Sequence, residues 1–227
     1  MSIFIKTQIL LLVTFLSAVI LTSCSKDIKN TEADILFSQI EHQLQEPNKQ
    51  LEDSLINTLR SYNLVGLDSF HTKAFWYDAY NFFLEESVKN SSGYIDFDAL
   101  MNEQILVAGD TMTTSTLINK ISSFKDERIM FCLDYHTVTC YPSNKIIISG
   151  QEGQLDSLCH AIVNDNTYIR VKSDINKVFY PEHLDWNMAL IDQKEGVKSI
   201  ILKYHLPPDQ LKDYQFVRYP FSYKLRI

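Results

Sequence analysis

The sequence is poor in residues that punctuate or staple a chain. Six Gly and six Pro in 227 residues leave no repeat fibre or linker-rich array, and four Cys are too few for a disulfide scaffold. No apolar run reaches the roughly 20 residues of a spanning helix, so a multi-pass membrane protein is excluded. Basic residues are in deficit, 21 Lys and Arg against 28 Asp and Glu for a net charge of −7. That balance argues against general nucleic-acid binding, which needs a basic surface facing the phosphates. G-x-x-x-x-G-K-[ST], G-x-G-x-x-G, G-x-S-x-G and H-E-x-x-H are all absent, so no nucleotide, dinucleotide, esterase-elbow or zincin site is indicated and no cofactor is implied. What remains is 45% apolar and 22% charged, the make-up of a globular protein long enough for one domain.

The first 23 residues stand apart. Lys6 is their one charge, and Ile9 to Leu21 form a largely apolar run of 13 residues, a length that suits the core of an export signal. The run ends in Leu21-Thr22-Ser23-Cys24, which resembles the bacterial lipoprotein processing box. The resemblance implies cleavage before Cys24 and acylation of that Cys by several chains, palmitate among them, which hold a protein on a membrane where one chain lets it leave. The alternatives are an ordinary secretory signal with a chance Cys, or an uncleaved anchor. Removal of residues 1–23 leaves 204 residues with 20 basic against 28 acidic side chains, a balance of −8. The expected location is the bacterial cell envelope, lipid-anchored at the outer membrane and facing the periplasm or the surface. Residues 24–33 read as a polar tether and residues 34–227 as a single domain.

Along that domain, Ile35, Leu36, Phe37, Ile40 and Leu44 recur at helical spacing until Pro47, and Leu51 to Leu59 mark a second helix with Asn48 as its N-cap. Phe75, Trp76, Ala79, Tyr80, Phe83, Leu84 and Val88 form the broadest apolar stripe, a third helix starting near Ser69 to Thr72. Gln104–Val107 reads as a short strand or helix. Helices are expected around Leu117–Phe124, Leu155–Val163, His183–Asp192, Val197–Tyr204 and Pro207–Asp213. Strands are expected at Arg128–Leu133, Lys145–Ser149, Phe216–Tyr219 and Ser222–Ile227, with a hairpin of Tyr168–Val171 and Ile175–Phe179 closed by Lys172-Ser173-Asp174. The sum is an α+β fold in which N-terminal helices pack with a small, mostly antiparallel sheet.

Lys73-Ala74-Phe75-Trp76-Tyr77-Asp78-Ala79-Tyr80-Asn81 resembles the K-A-F-W-I-N-A-Y-N hallmark of the family known as domain of unknown function 547. Arg128-Ile129-Met130-Phe131-Cys132-Leu133-Asp134, continuing to Cys140-Tyr141-Pro142, resembles its second hallmark, R-I-H-F-A-L-N-C-G-A-K-S-C-P, and Phe221 to Arg226 its closing one. The resemblance spans about residues 70–226. It implies a thiol served by a base and an orienting group, with Cys140 as nucleophile. This chain keeps Lys73, Trp76, Tyr80, Asn81 and Cys140 but carries Met130 at the His position and Asp134 at the Asn position. A thioether takes no proton, so a Cys140 nucleophile needs another base: His136, four residues earlier, or His160 or His183 brought near by the fold.

The commonest fate of such a Cys is a small buried hydrophobe. After loss of Cys24 to lipid, Cys132, Cys140 and Cys159 remain in an oxidising compartment, where one pair can be bridged: Cys132 with Cys140, or either with Cys159. Asp134, His136, Cys140, Cys159 and His160 contain ligand types for zinc but lack paired C-x-x-C spacing, so no metal is expected. The resemblance makes Lys73 and Asn81 shapers of a pocket with Trp76 and Tyr80 as its wall; periodicity alone places them at a core edge. These residues lean against catalysis. The expectation is a lipoprotein that binds a peptide, a glycan or another envelope protein. An active hydrolase or acyl-transferase based on Cys140 and a substitute His is the alternative.

Overall fold

Asn48 shows how locally the helix starts are written. Its side chain accepts from the backbone N–H groups of Gln50 and Leu51, satisfying two donors that the first turn leaves open. In the computed structural model, which describes residues 27–91, 96–135, 137, 140, 141, 153–191, 196–207 and 210–223, three helices lead: α1 over 27–45, α2 over Lys49–Ser61 and α3 over Ser69–Asn90. Then come α4 (Phe97–Asn102), the hairpin β1 (Gln104–Val107) and β2 (Asp110–Thr113), α5 (Thr114–Ser122) and α6 (Glu127–Phe131). The C-terminal part holds α7 (Gly153–Asn164), β3 (Arg170–Lys172), β4 (Lys177–Pro181), α8 (His183–Leu190), α9 (Gly196–Tyr204) and β5 (Gln215–Tyr219). The fold is α+β in one domain, with two small sheets rather than one.

Helix α3 is the centre. Fifteen of its 22 residues are buried, among them Phe75, Trp76, Tyr77, Tyr80 and Phe82. A stripe facing one way was expected; a helix covered on all sides is found, and its polar Asp78, Asn81 and Glu86 are buried with the rest. Asp68 caps it by accepting from the His71 N–H at 2.8 Å. Leu36, Phe37 and Ile40 of α1 and Leu55 and Leu59 of α2 join the same core.

Helix α1 starts earlier than the periodicity of its apolar residues indicates. Residues 27–33, expected as tether, are helical, because Ala33 is fully buried and the Asn30 amide donates to Asp68 at 2.9 Å. The β1–β2 hairpin turns through Ala108 and Gly109, both at positive φ (51° and 83°), as a two-residue turn of this kind requires. Their N–H groups donate to the carbonyls of Leu59 and Arg60 at 2.8 and 2.7 Å, so the hairpin also closes the end of α2.

Arg128–Leu133, expected as strand, is α6 and the turn after it. A short apolar run does not distinguish strand from buried helix by periodicity. Here Asp126 decides, capping the helix by accepting from the Arg128 N–H at 3.2 Å. The hairpin expected near 168–179 forms between β3 and β4, antiparallel with Arg170 opposite Phe179. β5 joins β4 in parallel, with Phe216 opposite Val178, as the intervening helices α8 and α9 permit. Leu211–Asp213 is a turn rather than a helix. Lys145–Ser149 and residues 224–227 lie outside the described residues.

Candidate functional site

The site is built on one edge of α3. Lys73, Tyr77 and Tyr80 stand at helical spacing and each grips the segment that follows α5. Lys73 Nζ meets Asp126 Oδ2 at 2.9 Å, the Tyr77 hydroxyl donates to the Cys132 carbonyl at 2.8 Å, and the Tyr80 hydroxyl donates to the Asp134 carbonyl. Burial acts to raise the Asp126 pKa, but hydrogen bonds from Arg128 and Lys73 prevail and hold it at about 2. Arg128 continues the network to Asp156 of α7 at 3.1 Å.

This replaces the expected pocket wall. Trp76 is 2% exposed with the Lys120 ammonium 3.8 Å above its ring. Tyr80 is buried, and Asn81 is fully buried. Lys73 is spent on Asp126. Lys73 and Tyr80 hold the 126–134 segment from within, while Trp76 and Asn81 are enclosed in the core.

That segment delivers Cys140 to α8. The Cys140 N–H donates to the Thr137 carbonyl at 3.1 Å and the Thr137 hydroxyl donates to Cys140 Sγ at 3.3 Å. His183, the first residue of α8, lies beside the sulfur at 3.6 Å from Nε2 and 3.8 Å from Nδ1. His183 was one of three candidate bases; His136 lies outside the described residues, and His160 is held elsewhere, its Nδ1 2.7 Å from the Tyr204 carbonyl.

The two near-equal distances define the contact. In the ring plane they would drive the sulfur into Cε1, inside van der Waals range, so the sulfur sits over the imidazole face. The in-plane direction at Nε2 is taken by the Tyr168 hydroxyl at 2.9 Å. Burial lowers the His183 pKa to about 3 and pushes the Tyr168 phenol well above its ordinary value. At neutral pH the imidazole is uncharged and places no positive charge beside the thiol. Cys140 itself is 4% exposed.

One turn along α8, Asn187 accepts from the Tyr135 hydroxyl at 2.6 Å and donates to the Met130 carbonyl at 2.8 Å. Met130 is fully buried and contributes its backbone here. Tyr168, Asn187 and Tyr135 carried no signal in the sequence, because each acts through a partner 15 to 57 residues away.

Outward from His183 the packing is aromatic. Phe221 stacks edge-on against His183 at 5.5 Å and meets Trp186 and Tyr223, each at 5.0 Å; Phe97 lies 5.3 Å from Tyr223. Trp186 is 38% and Tyr223 61% exposed, so this ledge runs from the buried pair to solvent. A separate open groove of about 550 Å³ lies along α1 and α2, between Ile35, Gln39, His42 and Leu51, and includes none of the residues expected in a site.

Of the zinc-type residues, Cys159 faces Cys132 at 3.8 Å and His160 faces Tyr204. Among the described residues no three His, Cys, Asp or Glu side chains converge as metal ligands, and no helix is long and apolar enough to cross a membrane. Comparison of the chain with family models, with curated proteins and with solved structures finds no match.

Proposed function

We propose that this chain is a cell-envelope lipoprotein, anchored through acylated Cys24, whose domain works by binding rather than by thiol catalysis. On this reading it is a divergent member of the family it resembles, with the scaffold kept and the proton chemistry gone. One observation carries the binding assignment. The Cys140 sulfur lies over the face of an uncharged, buried His183 whose Nε2 is already bonded to Tyr168, an arrangement poorly aligned for proton transfer.

The exposed rings of Trp186 and Tyr223 supply the binding surface. Half-exposed aromatics stacked on a buried base offer large contact area at low entropic cost, suited to a peptide or a glycan of the envelope. The chain has two Trp, and Trp76 is buried, so Trp186 reports on the ledge. Titration of the full chain with soluble peptidoglycan fragments, which carry both sugar and peptide, is expected to shift tryptophan emission. Trp186→Phe is expected to abolish the shift, and Cys140→Ala to leave it intact. Loss of the response in Cys140→Ala with Trp186 present would count against the reading.

A thiol hydrolase or acyl-transferase is the second reading, favoured by the 3.6 Å approach of His183 to Sγ. Alkylation by iodoacetamide separates the two. Reaction confined to the range near the free-thiol pKa of about 8.5 supports binding; fast reaction at pH 6 to 7 that His183→Gln removes supports the enzyme.

A further inference from the structure

The geometry points to Cys132 and Cys159 as the site of an intrachain disulfide, with Cys140 left as the lone thiol of the domain. Cys132 closes the C-terminal end of α6 and Cys159 sits within α7, 27 residues further on, with the sulfurs 3.8 Å apart. Both side chains are buried.

The facing is held by other bonds across the same helix pair. Arg128 of α6 pairs with Asp156 of α7 at 3.1 Å, and Cys159 Sγ lies 3.9 Å from the Arg128 carbonyl; from α9 the Tyr204 hydroxyl donates to the same Asp156. The two thiols therefore meet at high effective concentration with their helices already placed. Cys140 is engaged differently, by Thr137 at 3.3 Å and His183 at 3.6 Å. Of the pairings open to three thiols, the structure favours this one.

Oxidation needs an external disulfide. One thiolate attacks it to form a mixed disulfide and release one small thiol; the second thiolate then displaces the other. Two protons and two electrons leave the pair with the reduced small thiols. Because both sulfurs are enclosed in the folded domain, the external disulfide reaches the first thiol during folding, and the closing of α6 on α7 brings the second thiol to the mixed disulfide. The supply of oxidant in the cell rests on the export reading above; the bond itself does not.

The full chain, reduced and unfolded, is refolded in a mixture of oxidised and reduced glutathione, trapped with iodoacetamide and digested with trypsin without reduction. Cys132 and Cys140 fall in the same peptide, Ile129–Lys145, and Cys159 in Ile146–Arg170. The expected product is these two peptides joined, with one alkyl tag on the first. The join persists in Cys140→Ala and is lost in Cys132→Ala. Separate peptides with every Cys tagged would overturn the proposal, as would a join that survives Cys132→Ala and disappears in Cys140→Ala.

Stability gives an independent reading. Reductant is expected to lower the urea midpoint of the wild-type chain and of Cys140→Ala, and to leave Cys159→Ala unchanged. Equal midpoints with and without reductant in the wild type would also overturn it. A join formed in glutathione but missing from protein trapped directly out of cells would sink the export reading and leave the site standing.

Discussion

His183 enters the interior as the first residue of α8, bonded at Nε2 to a phenol and, among the described residues, with no carboxylate to hold a proton on it. Its folded pKa is about 3, against 6.5 in the unfolded chain. Between these values the unfolded state binds the extra proton, so the contribution of neutral His183 is complete above pH 6.5 and is lost as pH falls towards 3. The loss amounts to about 1.4 kcal/mol per pH unit over that window. In His183→Gln, denaturant unfolding followed from pH 4.5 to 3, below the titration of Glu86, is expected to lack this slope. A wild-type slope retained in the variant would show that another group is responsible. Sequence distance favoured His136 as the neighbour of Cys140. The chain reversal that puts α8 against the 132–140 segment is what selects His183, and no local pattern encodes it.

At the level of elements, α3 and the segment 126–134 form one unit, joined by the grips of Lys73, Tyr77 and Tyr80. The contact between those two stretches gives a physical reason for residue types that periodicity could not explain. Tyr77→Phe and Tyr80→Phe each leave a buried carbonyl without its donor, at a cost of about 1 to 2 kcal/mol. Urea unfolding should show each loss separately. A double variant that unfolds more easily than the sum of the singles would show that the bonds act together. The helix starts at Asn48 and near Ser69 were legible because capping is a local bond. The nature of α6 was not, since its five residues fit strand or helix equally and the Asp126 cap, with its tie to Lys73, decides between them.

Across the whole molecule, a second buried titrating group opposes His183. Glu86 of α3 and Glu52 of α2 face one another in the helical core, with the Lys89 ammonium 3.7 Å from Glu86 and the Lys49 ammonium bonded to Glu52. Burial, with a hydrogen bond to Glu52, raises the Glu86 pKa from 4.5 to about 7. Here the folded state holds the extra proton, so stability falls as pH rises from 4.5 to 7. From pH 4.5 to 6.5 the slopes of Glu86 and His183 have opposite sign, and the wild type is expected to show a plateau there. In Glu86→Gln thermal unfolding should instead rise steadily in midpoint across that range, with a gain of about 1 to 3 kcal/mol over wild type at pH 8 and little at pH 4.5. A plateau unchanged in Glu86→Gln would rule out this opposition. By itself the sequence determined what depends on neighbours within a turn or two: the α+β class, the N-cap at Asn48, the start of α3 near Ser69, the β3–β4 hairpin, and the apolar residues that must go inside. Only the tertiary structure decided that α3 is buried all round, that Lys73 and Tyr80 grip another segment instead of lining a pocket, and that Cys140 meets His183 while Cys132 meets Cys159. Such pairings depend on which helices close on one another, and burial, which sets the pKa of His183 and Glu86, exists only once they have.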